Sequence, residues 1–562
     1  MTLFPLTGKR DLPSGNMQII LAKLFRSAFL TMVFLAAALP ACSQNADTIL
    51  VNGKVLTVDP QFSTREAIAI RGGKITQVGS NADVRKQAGS QTRVIDLQGR
   101  TVIPGLIDSH IHAIRAGQTF TTEVNWVGAN SIGEAMDRIH AAAAAKRPGS
   151  WLIVAGGWNV DQFKEKRRPT QADIVAAAPN DPVYVQLDYD WEVMTPAGFD
   201  AMGIHSDADL PRPGKLERDA SGKPTGAILN GGGFAVAIAL FDKLPHPTFD
   251  EQVEGTKKFF RELNRLGVTG VVDPGGNNLN PENYQVIFKV WRQHQMTIRV
   301  AYALCGPTSG KEFEELQSLT QMLPQGFGDE WLKFNGLGER ITWGMNNNDH
   351  STAEEQEKYY QILRWAAQKR MAVTMHWPND ETAGTLLSIY ERVNAEFPIA
   401  DLRWSIAHLT NASAENLKRM KAMNVGWTIQ RPNAASVENA KELGVSMGAG
   451  TDAHRVASYN PFTALRWLLV DSKNGGAKRG PEQMPTREDA LRAYTIGSAW
   501  FSFDEGKRGS LEPGKMADLA VLSKDYMTVP LDQLESIESL LTMVGGKIVY
   551  SAEPYAKFSN DN

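Results

Sequence analysis

Eight short apolar runs recur along the middle of the chain, and the segments between several of them carry helical periodicity. The runs are TVIPGLIDSHIH, VTGVVDPGG, IRVAYALC, WLKFNGLG, MAVTMHWP, LRWSIAHLT, VGWTIQRP and VSMGAGTDA. Among the intervening segments, AEEQEKYYQILRWAAQKR and ASAENLKRMKAMN read as amphipathic helices. Strands alternating with helices argue for parallel βαβ units, and eight strands are what a closed barrel needs. The expected fold class is α/β, a TIM-type (β/α)8 barrel over residues 105–499.

The two chain ends have a different texture. Residues 46–104 hold short alternating runs broken by glycine: DTILVNGKVLTVD, AIAIRGGKITQVG and TRVIDLQGRTVIPG. Similar runs return at the far end as GSLEPGKMADLAVLS and LLTMVGGKIVYS. Such patterns mark small antiparallel strands with tight turns. Residues 46–104 and 500–553 are therefore expected to build one small β-sandwich domain from both ends, with the barrel inserted between them. Residues 125–240 add strand-like runs, WLIVAGGWN and PVYVQLDYDW, that exceed the barrel count. They read as an insertion after the first barrel strand, able to cover one face.

The N-terminus reads as a targeting segment. Lys23 and Arg26 precede the apolar run AFLTMVFLAAALPAC, which is too short and too rich in small residues at its end for a membrane-spanning helix. The run ends in Leu39-Pro40-Ala41-Cys42, similar to a bacterial lipobox. Residues 1–42 are expected to be a secretory signal, with Cys42 the lipidated first residue of a periplasmic, membrane-anchored lipoprotein. The alternative is an ordinary signal cleaved nearby, with Cys42 incidental. The other cysteine, Cys305, follows an apolar run and is expected to be buried. Two distant cysteines imply neither a disulfide framework nor a zinc finger. A formal charge of −3 over 562 residues, without a basic cluster interleaved with aromatics, excludes a nucleic-acid footprint.

Polar residues at the strand ends carry the chemistry. His110 and His112 are one residue apart at the end of the first run, and period-two alternation puts both on one face. In a barrel that face can point into the lumen at the C-terminal mouth, where active sites of this fold sit. His376, His408 and Asp452 end three further runs. Four histidines and an aspartate at equivalent strand ends form a divalent-metal site suited to zinc or a similar ion. His454 could line the mouth, Asp273 could support a ligand or shape a turn, and Glu339 and Arg340 could contact substrate or pair with each other. No role is assigned to His140, His205, His246, His294 or His350.

IPGLIDSHIH, with the flanking GKITQVG and GSLEPGKMADLAVL, resembles the amidohydrolase superfamily. GGWNVDQFKEKRRPT, LKFNGLG and GAGTDAHRVASYNP are similar to its amidohydrolase-3 branch, which includes N-substituted formamide deformylases. The resemblance covers nearly the whole chain after the signal. It implies two divalent ions, with Lys333 as an N-carboxylated lysine bridging them; the alternative is an unmodified lysine in an ion pair. Burial would disfavour the ordinary lysine cation, and a carbamate replaces that cation with an anion. The metal ligands expected are His110, His112, Lys333, His376, His408 and Asp452. The candidate substrate contacts are Trp158, Asp190, Trp191, Arg340 and His454. The chain departs from the branch at Asn335-Gly336-Leu337-Gly338 and at Tyr189-Asp190-Trp191, segments that face substrate in similar proteins.

The expected activity is hydrolysis of a non-peptide C–N bond in an amide, cyclic amide or formamide-like substrate. Metal-activated hydroxide would attack, and Asp452 would act as the catalytic acid–base group. Esters, lactones, carbamates or deamination could use the same hydroxide. A catalytically silent, membrane-anchored binding protein is the alternative from another class. A small-molecule substrate and further copies of the chain, forming a homo-oligomer, are the expected partners.

Overall fold

The computed structural model describes residues 45–558 except 148, 232–233, 277–278, 346–349, 431–433 and 471–484. The targeting segment 1–42 and Cys42 lie outside the described residues. No helix among the described residues is long and apolar enough to cross a membrane.

The eight apolar runs each contribute a strand to the central α/β unit. Strands β1 (Leu106–Asp108), β2 (Val268–Asp273), β3 (Arg299–Leu304) and β4 (Leu332–Leu337) form a parallel sheet in that order. Strands β5 (Thr374–Trp377), β6 (Ser405–His408), β7 (Gly426–Ile429) and β8 (Met447–Ala449) form a second one. At one seam, Leu337 N–H donates to Ala372 O at 2.9 Å beside a single Leu337–Val373 bridge. At the other, Ser109 N–H donates to Ala449 O at 3.1 Å and Asp452 N–H to His110 O at 2.8 Å. The arrangement is TIM-barrel-like, but its strands form two sheets tied by isolated contacts. The flanking β1 and β8 are three residues long, which leaves little backbone for a ladder between them.

Helices cover the sheets, so β2 and β3 are buried along their whole length. The helix Phe249–Arg265 shows how the sequence builds this layer. Thr248 and Glu251 form a reciprocal cap at its start, while Val253, Phe259, Phe260 and Leu263 turn inward. The helix Ala353–Gln368 repeats the design with Thr352 and Glu355.

Between β1 and β2 lies a five-stranded sheet: Leu152–Val154, Val183–Leu187, Trp191–Met194, Lys215–Arg218 and Pro224–Leu229. Its apolar cluster holds Trp126, Trp158, Phe163 and Trp191. Both chain ends build the remaining strands. Thr101–Pro104 pairs antiparallel with Leu519–Leu522 inside a six-stranded sheet, and a four-stranded sheet comes from the N-terminal end alone. Leu50, Ile68 and Ile95 of the smaller sheet share one apolar cluster with Val102, Leu519 and Leu541 of the larger.

A buried ion pair joins these end strands to the central unit. Arg299, the first residue of β3, gives Nε and Nη2 to Asp518 at 2.8 and 3.1 Å, and both side chains are almost fully buried. Asp518 also accepts from Gly545 N–H at 2.6 Å. Removing Asp518 leaves the buried Arg299 with only the half-exposed Glu330 carboxylate, 3.4 Å from its Nη1, and loss of a buried partner typically destabilises by about 3–5 kcal/mol. Asp518→Ala is therefore expected to lower the unfolding free energy by about that amount in denaturant titration. A loss below about 1 kcal/mol would show that the pair does not hold the two parts together.

Candidate metal centre

The strand ends bring four histidines and two carboxylates into one buried cluster. His110 and His112 follow β1, His376 lies in β5, His408 ends β6 and Asp452 follows β8. The second carboxylate is Glu339, two residues past the end of β4. Its Oε2 lies 3.2 Å from His110 Nε2, 3.1 Å from His376 Nδ1 and 3.7 Å from His408 Nε2. Its Oε1 lies 3.3 Å from His112 Nε2. Asp452 Oδ1 completes the set, 3.5 Å from His110 Nε2 and 3.2 Å from His112 Nε2.

Lys333 is not part of this cluster, which corrects the bridging role expected for it. It is the second residue of β4, and Glu339 lies six residues further along the chain. At about 3.3 Å per strand residue, Lys333 belongs near the opposite end of the strand. There Lys333 Nζ donates to Ser502 O at 2.6 Å and to Asp504 Oδ1 at 2.7 Å. A lysine ion-paired in this way is the unmodified alternative. Glu339 stands where the shared ligand was expected. Its sequence signal was available: like the histidines, it directly follows the end of a strand, in LKFNGLGE.

Buried carboxylates and backbone contacts hold the ligands in place. Asp108 accepts from His110 N–H at 3.0 Å, Thr451 N–H at 3.1 Å and Thr451 Oγ1–H at 2.7 Å. It thereby ties the end of β1 to the end of β8. Burial pushes the Asp108 carboxyl up to about 7 against these hydrogen bonds. Asp273 accepts from Ile114 N–H at 2.8 Å and Gly275 N–H at 2.9 Å, fixing the turns on either side of His112. His112 Nδ1 sits 2.7 Å from Gly275 O. That contact requires the proton on Nδ1 and leaves Nε2 to face the cluster. Gly450 is obligatory for a steric reason, because a methyl group there would lie 2.7 Å from His110 N and 2.8 Å from His110 O. The small residues of GAGTD thus let β8 approach the His110 backbone. His408 (φ 79°) and Asp452 (φ 57°) both occupy the left-handed region, a strain that clusters at functional sites.

The donor set fits a divalent cation. Two clusters of three, His110–His112–Asp452 and His110–Glu339–His408, each bring their ligand atoms within 4.8 Å of one another. Both ring nitrogens of His110 and Nε2 of His408 are buried without a well-formed hydrogen bond. Two buried carboxylates need compensating positive charge, and protons supply it when a metal does not. Burial disfavours the His110 and His112 cations, and Arg115 adds to this at His112, yet Glu339 and Asp452 carry both rings up to about 9. Burial likewise opposes the Glu339 anion, but His376, His112 and His110 hold it well below the usual carboxylate range. Burial and the charge of His376 lower His408 to about 4, so it is a neutral nitrogen donor. Metal binding would replace those protons with a cation.

The expected substrate contacts are dispersed. Trp158 is buried in the core of the insertion, where its Nε1–H donates to Gln186 O at 2.8 Å and its ring stacks on Phe163. Trp191 is buried in the same cluster, with the Arg168 guanidinium 5.2 Å from its ring. Asp190 is exposed in the turn before the strand Trp191–Met194. Arg340 is buried against Gly306 O at 3.1 Å and stacks on Trp343. Glu339 is among the charges that favour its cation, while the oxygens of that carboxylate lie against the histidines. His454 lies near the cluster, with Nε2 3.4 Å from Glu123 Oε1.

Glu339 and Lys333 give opposite expectations for metal content. In elemental analysis after saturation with zinc and gel filtration, Glu339→Ala should lose bound metal. Its affinity should fall at least about 10–100-fold, the amount that even outer-sphere partners typically contribute. Lys333→Met should retain full stoichiometry and lose stability through its stranded partner Asp504. The reverse pattern would restore Lys333 to the centre.

Comparisons with known proteins bear on the family and the fold. The model of the Amidohydrolase family matches residues 93–550. N-substituted formamide deformylase of Arthrobacter pascens is 24% identical over 546 residues, covering 90% of this chain and 99% of that protein. Protein LONG AFTER FAR-RED 3 of Arabidopsis thaliana is 26% identical, covering 90% and 92%. Among solved structures, an uncharacterized metal-dependent hydrolase from Pyrococcus furiosus superposes with TM-score 0.59 at 18% identity, covering 86% of this chain and all of that one. Atrazine chlorohydrolase TrzN from Arthrobacter aurescens TC1, complexed with zinc, gives TM-score 0.51 at 17% identity, covering 90% and 95%. With a family model spanning most of its length, the chain belongs to the amidohydrolase family.

Proposed function

We propose that this protein hydrolyses a non-peptide C–N bond in a small amide or formamide-like substrate, using two divalent ions, with zinc the first choice. One observation carries the reading: a single buried carboxylate, Glu339, lies within 3.7 Å of four histidine nitrogens, with Asp452 completing the set. A silent binding protein would have no need to keep such a charged cluster buried. The reading takes the two four-stranded sheets as one closed barrel, with the site at its C-terminal mouth and the end strands packed as a β-sandwich.

His110, His112, His376, His408, Glu339 and Asp452 would hold the ions. When bound, such an ion acts as a Lewis acid: it lowers the pKa of water and stabilises negative charge on an attacked carbonyl oxygen. The remaining chemistry belongs to the side chains. Asp452 is the more accessible carboxylate, with its side chain 18% exposed against 10% for Glu339. It takes a proton as the water oxygen bonds to the carbonyl carbon, and returns it to nitrogen as the C–N bond breaks. Water and amide then yield a carboxylic acid and an amine, with no other reactant. Glu339, enclosed by histidines, has no such freedom and serves as a ligand.

The test is a hydrolysis panel on zinc-loaded protein: N-benzylformamide, a hydantoin, and matched esters and lactones. Asp452→Asn should keep most of its metal while turnover falls by at least about 10²–10⁴-fold. Rescue of this variant by excess metal would reduce Asp452 to a ligand. Ester or lactone turnover exceeding amide turnover after correction for intrinsic reactivity would move the assignment to that class.

Export as a lipoprotein is part of the same proposal, resting on the apolar run before Cys42. Cys42→Ser should then shift the protein from the membrane fraction to the soluble fraction, because an acyl anchor is lost. Equal membrane association of both forms would remove the anchor from the proposal.

A further inference from the structure

Arg455 is a buried cation for which the fold supplies no counter-ion in contact. It lies three residues past Asp452 on the loop that leaves β8, and it is 3% exposed. Its Nε has no hydrogen-bond partner, and among the described residues none hydrogen-bonds to or ion-pairs with the guanidinium. Its contact is the ring of Phe241 in the insertion, 3.7 Å from Cζ. The insertion also closes over its backbone, since a methyl group at Gly156 would lie 2.1 Å from Arg455 O.

The surroundings do not cancel the charge. Glu123 is close enough to favour the Arg455 cation, but its carboxylate sits 3.4 Å from His454 Nε2. Arg115 adds like charge, and its field reaches both Arg455 and His112. Arg115 and Arg455 each follow a ligand strand end by three residues, after His112 and Asp452 respectively. The cation therefore lies on the ligand-bearing side of the fold, between the catalytic loop and the insertion. An arginine buried there without a counter-ion in contact would offer its planar donor fork to a planar anion that enters between the loop and the insertion. The neighbouring Glu123 carboxylate disfavours a dianion, which leaves a monoanionic carboxylate as the matching group.

We propose that Arg455 anchors a carboxylate on the substrate, so that the preferred substrates are acylated or formylated amines that also bear a carboxylate group. The insertion and the loop after β8 together form this subsite. The assignment deepens the hydrolase reading and rests on it, yet anion binding at Arg455 can be measured without turnover.

The experiment compares zinc-loaded wild type with Arg455→Met and Arg455→Lys on two substrates that differ only in the anion, 4-(formamidomethyl)benzoate and N-benzylformamide. Wild type should favour the carboxylate-bearing substrate by at least about tenfold in kcat/KM, mainly through KM. Arg455→Met should erase this ratio, and Arg455→Lys should keep part of it. In parallel, thermal melting is followed with benzoate and with benzamide. Benzoate should raise the wild-type melting temperature more than that of Arg455→Met. Without ligand, Arg455→Met should melt no lower than wild type, because an unpartnered buried charge has been removed. Equal benzoate shifts in the two proteins would place the anion elsewhere and overturn the proposal, as would an unchanged substrate ratio in a folded Arg455→Met. If neither substrate is hydrolysed while the benzoate shift still depends on Arg455, the hydrolase reading fails and the anion site stands.

Discussion

The site depends on one electrostatic constraint: Glu339 and Asp452 cannot both remain ionised in a buried cluster without positive charge beside them. Desolvation acts against each anion, and four imidazoles crowd the same space. The histidines can supply charge only by holding protons, which spends the nitrogen lone pairs that a metal would use. Protonation and metal binding are therefore competing solutions to the same imbalance. His408 shows the limit of the protonated solution, because His376 and burial together keep it neutral and its Nε2 has no good partner. Divalent cations would meet both needs, charge for the carboxylates and lone-pair acceptors for the imidazoles, and this is the physical ground for reading the cluster as a metal centre.

That constraint explains why so much of the fold is spent on positioning the cluster. Asp108 does not touch the other carboxylates, yet it holds Thr451 and the His110 backbone in a single hydrogen-bonded unit across the β1–β8 seam. Gly450 allows the approach, and Asp273 locks the turns around His112. Left-handed backbone at His408 and Asp452 carries a local conformational cost that the surrounding hydrogen bonds must offset. Trp427 Nε1–H on His408 O and Gln430 on His408 N–H are two such bonds.

Much of this was legible in the sequence because strand ends are marked twice. A run of apolar residues identifies the strand, and a polar residue that has no reason to be there identifies its functional end. His110, His112, His376, His408 and Asp452 each stood out in this way, and the structure brings all five together. Lys333 sits at the start of an apolar run rather than its end, so the rule that marks the other residues does not point to it, and only the family resemblance does. Glu339 reads from sequence as a substrate contact or a partner of Arg340 rather than a ligand, since the Gly-Leu-Gly before it blurs where β4 stops. Trp158 and Trp191 could not be placed from sequence at all. A tryptophan beside glycines fits a substrate wall as well as a core, and only the packing against Phe163 and Trp126 decides between them.

The chemistry and the recognition are carried by different parts of the chain. Hydrolysis at a metal centre is indifferent to the groups beyond the scissile bond, because an activated water attacks any suitably polarised carbonyl. Selectivity must come from side chains that touch the rest of the substrate. In this fold they can come from the loops that leave the ligand strands and from the inserted sheet that covers them. The chain departs from the pattern it resembles at Tyr189-Asp190-Trp191 in the insertion and at Asn335-Gly336-Leu337-Gly338, the last three residues of β4 and the one after it. Insertion and catalytic loop are coupled through packing at Gly156 and through the Phe241 ring on Arg455. A change in the inserted sheet can therefore alter which molecule is held beside the cluster without disturbing the four histidines and two carboxylates that form it.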